Sequence, residues 1–444
     1  MKGSARRPRL SVTTGGRNVV AHAGARLLAD LADDLGLRAG LSVAMAPTKT
    51  RRRGHDRGQV LTDLAVAIAD GGRTISDLRS LSDQPALFGE VASVSTAWRT
   101  LEAIDDAALA RIAAARAAAR AAAWAAGMDP GFYVIDIDGT LVSSHSDKEG
   151  AAPNYKRGFG FYPLMSYLDA TGEPLAGLLR PGNAGSGTAA DYVAVLSDSL
   201  VQLPVDAREQ EVICRSDSAG CSHAFLDACR ERHVRFVVGH PLTSEVASAV
   251  LAAPKARWLP AISADGTEEV DWAEVAEVSD LLDLSSWPQG TRAIARREVA
   301  HPGAQLTFTD VDGRRYQVFL TDHPSADICF LESLYRGRGR GRAECAIRDA
   351  KDSGLSNLPS SSFALNAAWL ALVLIAGDLL SFAKALLFSA EFRRAEPRRL
   401  RYCLLHSAGV IVSSGRRRTL RLATGWPWSE HLATAFSRLP RVSA

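Results

Sequence analysis

Cysteine is scarce in this chain. Its six cysteines among 444 residues form no CxxC pair and no dense framework. That argues against a zinc ribbon or a disulfide scaffold and fits a reducing compartment. The ten histidines show no HxxxH or HExxH spacing, so histidine-centred chemistry has no foothold here, and His145, His223 and His240 read as satisfied polar side chains. The opening residues, MKGSARRPRL, lack the apolar stretch of a secretory leader, and a cytoplasmic, nucleoid-associated protein is expected. One apolar run approaches membrane-spanning length, NAAWLALVLIAGDLLSFAKALLF over 366–388, but Asp378 and Lys384 interrupt it. With no second span beside it, it reads as a buried core helix.

What is present is ample hydrophobic residue, 47% of the chain against 23% charged. This supports a large core and two to four domains and excludes global disorder. The net charge of +3 conceals an asymmetry. Residues 1–58 carry 12 Lys/Arg and 4 Asp/Glu, residues 393–444 carry 11 Arg and 2 Glu, and the middle is strongly acidic. Basic ends around an acidic body suggest a polyanion gripped at the ends and an acidic site between them.

Apolar periodicity predicts helices over 26–41 and 58–83, separated by the basic loop Lys49, Thr50, Arg51, Arg52, Arg53. Ser95 reads as the cap of a short helix through Trp98 that exposes Arg99. Residues 105–126 form an alanine-rich helix, read as a link to the next domain, that Met128-Asp129-Pro130-Gly131 breaks. From 132 the pattern turns to strands: FYVIDID, then FGFYPLMSYLDA and EPLAGLLRPG around a turn at Thr171-Gly172. A helix at 188–201, the strand EVICRSD, a helix at 222–232 and the strand VRFVVG follow, which is an α/β order. Residues 255–330 read as a mainly β insertion, and 343–353 and 362–390 return to helix.

Three carboxylates stand out. Asp138, with Asp136 beside it, ends the strand in VIDIDGT. Asp217 ends the strand in VICRSDS. Glu344 opens a helix in RGRGRGRAECAIRDAK. Strand C-termini are where open α/β sheets place their sites. Three converging carboxylates can hold two Mg²⁺ ions through oxygen ligands and support in-line phosphoryl displacement. Arg340, Arg342, Arg348 and Lys351 surround Glu344 in sequence, and Glu344, Arg348 and Lys351 share one helical face.

At these residues the chain resembles the DDE transposases of bacterial insertion sequences, and among them insertion-sequence family 1380. The segments that carry the resemblance are VIDIDGTLV, NYKRGFGFYPL, LLRPGNAGSGTAADY, CRSDSAG, SSWPQGTRAIARREVAHPGAQLTFTD, RGRAECAIRDAKDSGL and NAAWLALVLIAGDLL. The resemblance implies an α/β fold: a ribonuclease-H-like catalytic domain with an all-β insertion, an α-helical N-terminal DNA-binding domain and a basic C-terminal region. The corresponding boundaries are 1–127, 128–254, 255–330, 331–392 and 393–444. It assigns the metal-binding and catalytic roles to Asp138, Asp217 and Glu344, with Mg²⁺ as cofactor and Mn²⁺ as substitute. It implies double-stranded DNA as partner, both terminal inverted repeats and target, bound by a homodimer on paired ends, in cut-and-paste transposition. Lys49, Arg51, Arg52, Arg53, Arg99, Lys156, Arg157, Arg180, Arg340, Arg342, Arg348 and Lys351 are read as DNA contacts. Related enzymes carry a Tyr, Arg, Glu, Lys signature; Arg340 and Lys351 match it, whereas Tyr335 lies nine residues before Glu344, where seven is expected.

Two other readings stay open on sequence alone. DIDGTLV fits the first motif of haloacid-dehalogenase-type phosphatases, with Asp136 as nucleophile, Asp138 as acid/base, Ser216 as the second motif and Asp322 and Asp327 as metal ligands. A catalytically inactive, transposase-derived DNA-binding protein would have the same basic ends.

Overall fold

The structure is a computed structural model that describes residues 11, 14–49, 54–185, 188–263, 267–299, 310–311, 313–336, 342–415 and 417–440. Arg51, Arg52, Arg53 and Arg340 lie outside the described residues, and of Arg342 only the backbone is described.

The N-terminal part is helical: α1 Ala25–Asp34, α2 Leu37–Met45, α3 Arg57–Ala69, α4 Val94–Glu102 and α5 Asp106–Ala123. The helix expected over 26–41 is two helices, because Gly36 takes a left-handed φ of 73° and breaks the first. Helix α3 ends at Asp70, short of the expected 83, as Gly71 turns with φ 113°. The cap of α4 is Ser93, whose Oγ accepts from Thr96 N, rather than Ser95.

A ten-stranded mixed sheet follows. Its strands are β1 Tyr133–Gly139, β2 Leu164–Leu168, β3 Pro174–Leu178, β4 Val212–Ser216, β5 Val234–His240, β6 Leu259–Ile262, β7 Glu269–Glu277, β8 Arg292–Val299 and β9 Arg314–Thr321, with Asp310–Val311 paired to β9. The spatial order is β6-β7-β8-β9-β5-β4-β1-β2-β3. Strands β1, β4 and β5 are parallel; β2 pairs antiparallel with β1, and β9 with β5. The β-rich segment after 254 thus extends the same sheet. Helices α6 (Ala189–Gln202) and α7 (His223–Glu231) pack on the sheet, and both faces of its centre are buried, as the continuous apolar runs require. Tyr133, Ile135 and Ile137 join the main core. Val134, Ile213, Val237 and Phe319 pack on the other face with Leu331 and Leu334 of α8 (Ile328–Arg336).

The alanine-rich α5 was expected to be a link, and it is instead a core element. Arg116 and Arg120 are at most 3% exposed. The two arginines reach Asp378 at 2.6 and 2.5 Å, and Arg120 also reaches Glu173 at 2.9 Å. Alanine on the rest of α5 lets neighbouring backbones close around these guanidiniums. Asp378 sits on α10 (Phe363–Phe382), the main part of the apolar run, long and apolar enough to cross a membrane but with 72% of its apolar window buried inside the protein. Asp378 is therefore the buried counter-charge to α5. One hydrophobic core runs from Ala25 through the sheet to Ala435.

The termini meet. Val19–Val20 adds a strand to the hairpin of Gly409–Ser414 and Arg417–Leu422. The two basic ends of the sequence are thereby joined in one small sheet.

Candidate active site

Strands β1 and β4 are in register with Val134 opposite Ile213 and Asp136 opposite Arg215. Side chains alternate with period two, so the next position on that face sets Asp138 level with Asp217, where both parallel strands end. Asp217 begins a tight turn, its Oδ1 accepting from Ala219 N at 3.0 Å. Glu344 comes from the first turn of α9 (Arg342–Ala350). Its charge reaches Asp138, whose carboxyl is pushed up to about 7. Burial is the main cause, then Asp217, with Glu344 and Asp136 adding and the Gly139 N–H opposing. Asp217 is raised as well, by desolvation. The three carboxylates singled out in the sequence thus share one electrostatic site. Like-charged groups held together this way suit a cation between them.

Two tyrosines stand around them, of which the sequence singled out only Tyr335. Tyr162 covers Gly139 so closely that a Cβ there would lie 2.7 Å from its hydroxyl. Burial, Tyr155 and the two aspartates push Tyr162 up to about 12. On β5, a Cβ at Gly239 would lie 2.5 Å from the Tyr335 hydroxyl and 2.9 Å from Ser218 N. Tyr335 stacks on Phe319 with ring centroids 4.6 Å apart. Despite its unexpected spacing from Glu344, its hydroxyl therefore lies at the strand end beside Asp217.

The basic residues divide. Lys351 is half-buried; burial lowers its pKa, Lys156 adds to that and Asp138 opposes it, so Lys351 is within electrostatic reach of Asp138 and Lys156 of Lys351. Lys156 and Arg157 are exposed in the turn closed by Asn154, and Arg157 takes a left-handed φ of 62°. Arg348 pairs with Glu396 at 2.9 Å. Arg180, read as a DNA contact, is 3% exposed. It donates to Tyr162 O at 3.0 Å and pairs with Asp191 at 3.1 Å, a structural placement. Arg99 is exposed on α4, and Lys49 donates to Gly54 O at 3.3 Å.

The phosphatase reading fails on this geometry. Asp136 is 4% exposed and gripped by Arg215 at 2.5 and 2.7 Å, with Asp169 on the same guanidinium. It is not free to attack. Asp322 lies at the opposite end of the sheet, accepting from Phe236 N near the start of β5, and Asp327 caps α8 through Cys329 N. Neither joins Asp138.

Among solved structures, the chain is similar to a piggyBac transposase synaptic complex with hairpin DNA, at 9% identity and a TM-score of 0.45, covering 88% of this chain and 81% of that one. No curated protein matches it. The family model of the transposase DDE domain, group 1, matches residues 2–444. With that match running essentially from end to end, the chain belongs to the group 1 family of DDE-domain transposases.

Proposed function

We propose that the chain catalyses cut-and-paste DNA transposition as a member of insertion-sequence family 1380. In this reading it binds the terminal inverted repeats of its element, cleaves the strands there and joins the freed ends to target DNA. The observation that carries the reading is the meeting of Asp138, Asp217 and Glu344 at one strand-end site, close enough for the other two to raise the carboxyl of Asp138. The spatial order of β3-β2-β1-β4-β5, three antiparallel strands then two parallel ones, supports a ribonuclease-H-like catalytic domain.

The donor set fits hard divalent cations. It is three carboxylates, of which Asp138 is buried and feels the charge of the other two. Asp138, Asp217 and Glu344 would hold Mg²⁺, with Mn²⁺ able to substitute. A pair of such ions supplies activation of the attacking oxygen and neutralisation of the leaving one. The protein's own part is positional. The two strands fix Asp138 and Asp217 on a rigid sheet. Lys351 and Lys156 offer positive charge to the phosphodiester beside the carboxylates. Tyr335 presents a hydroxyl beside Asp217. The helical N-terminal region, with Lys49, Arg51, Arg52, Arg53 and Arg99, would grip the element end, and two copies would pair the ends. The convergence of all three carboxylates favours an active enzyme over an inactive DNA-binding descendant.

The test is nicking of a duplex carrying the terminal sequences that flank the coding gene, with and without Mg²⁺, beside hydrolysis of a small phosphomonoester. Metal-dependent nicking without phosphomonoester turnover supports the reading. Turnover that depends on Asp136 overturns it.

A further inference from the structure

A second cluster of ligating side chains lies away from the carboxylates. His22 precedes α1, Asp70 caps the C-terminal end of α3, and His406 follows the turn at Arg401–Leu405. One ligating atom from each lies within 4.8 Å of the other two. Asp70 Oδ2 is 2.5 Å from His22 Nδ1, and Oδ1 is 3.3 Å from His406 Nε2. The rings of the two histidines are 4.2 Å apart at their centroids.

Three features set this cluster apart from an ordinary surface ion pair. First, Asp70 is 5% exposed at the C-terminal end of α3, and two imidazoles and the Arg401 side chain converge on that end. The last carbonyls of α3 accept from two of these groups: Arg401 donates to Ala69 O at 3.4 Å and His406 Nε2 donates to Asp70 O at 2.9 Å, a proton and a bond that this nitrogen gives up when it binds a cation. Second, the buried Oδ1 of Asp70 has no hydrogen bond of good geometry, which is uncommon for a buried carboxylate oxygen. Third, His22 holds a left-handed φ of 54°, a conformation that non-glycine residues seldom adopt, and it delivers this imidazole to the carboxylate. The cluster opens on a groove of about 1020 Å³ that all three residues line.

We propose that His22, Asp70 and His406 form a second divalent-cation site, of the zinc class, with an open position facing the groove. Two imidazoles and a carboxylate are a zinc donor set, whereas the all-oxygen set at Asp138 suits magnesium. The two sites therefore differ in preference. A cation here ties the N-terminal segment, the end of α3 and the C-terminal region to one point, and so fixes the small sheet in which the basic termini meet. This inference does not depend on the transposition chemistry.

The test uses the full chain carrying Asp138→Asn to weaken the carboxylate site, stripped with chelator and titrated with Zn²⁺ in excess Mg²⁺ by calorimetry. One Zn²⁺ per chain is expected. His406→Gln and His22→Gln, which keep a hydrogen-bonding side chain, should each weaken it by at least about 100-fold, the upper end of the loss when only a supporting residue is removed. Co²⁺ added to the unmutated chain should give visible absorption bands that Zn²⁺ displaces, a readout independent of whether the variants fold. Absence of both stoichiometric Zn²⁺ binding and Co²⁺ bands overturns the proposal and leaves a hydrogen-bonded His–Asp–His cluster. Unchanged Zn²⁺ affinity in both histidine variants overturns it as well.

Discussion

Replacing Asp138 with asparagine should stabilise the metal-free protein while destroying its chemistry. The carboxyl rises from an ordinary 3.8 to about 7 because it is buried beside Asp217 and Glu344. Each tenfold change in proton affinity is worth about 1.4 kcal/mol, which gives a penalty on the charged form on the order of 4 kcal/mol. Partial solvent access screens this to about 2 kcal/mol. The sign follows from linkage. Below pH ~4 the group is protonated in both states and contributes no penalty. Between about 4 and 7 the unfolded chain is ionised and the folded one is not, so stability falls as pH rises. Above ~7 the penalty is complete. Asp138→Asn removes it, and the neutral amide oxygen can still accept from Gly139 N–H. Thermal unfolding in chelator at pH 8 should therefore show the variant more stable by about 2 kcal/mol, a shift of a few degrees in a chain of this size. The difference should vanish towards pH 4. Added Mg²⁺ should raise the melting temperature of the parent and much less that of the variant. A variant less stable than the parent at pH 8 without metal, or a difference independent of pH, would refute the argument that these carboxylates crowd one another.

Three further outcomes follow. Gly239→Ala puts a Cβ 2.5 Å from the Tyr335 hydroxyl and 2.9 Å from Ser218 N, so it should sharply reduce DNA cleavage in a nicking assay with little loss of end binding in a gel-shift assay. Lys351→Ala should weaken DNA binding and lower the slope of log affinity against log salt by about 0.9, one phosphate contact, as read by fluorescence anisotropy across a salt series. Arg120→Met leaves Glu173 without its buried partner and should cost about 3–5 kcal/mol in denaturant unfolding.

The strands that carry the site were legible because each is a short apolar run, two of them ended by an aspartate. Tyr133–Gly139, Val212–Ser216 and Val234–His240 lie where FYVIDID, EVICRSD and VRFVVG predict them. Asp138 and Asp217 stood out in the sequence as the residues ending two of these runs, whereas Glu344, a glutamate on a charged helix, carried little signal of its own until the resemblance gave it a role. What escaped the sequence depends on contacts between distant segments. Nothing local distinguishes Arg116 and Arg120, buried against Asp378, from the exposed arginines of an alanine-rich helix. Arg215 reads as an interruption of its strand until Asp136 and Asp169 are placed around it. The same holds for Arg180, whose partner Asp191 lies beyond a loop. The closeness of Gly139 to Tyr162 and of Gly239 to Tyr335 needs two chain segments to meet, so periodicity could not reveal it. The pairing of Val19–Val20 with Gly409–Val410 joins the two ends of the chain.

The central claim is that Asp138, Asp217 and Glu344 act together on DNA. Its most direct measurement is strand cleavage of a duplex bearing the element's terminal sequences in Mg²⁺, with end binding followed in parallel. Asp138→Asn, Asp217→Asn and Glu344→Gln should each reduce cleavage to background while end binding stays nearly unchanged. Cleavage that survives any one of the three substitutions, or that is lost in Asp136→Asn but kept in Asp138→Asn, would contradict it.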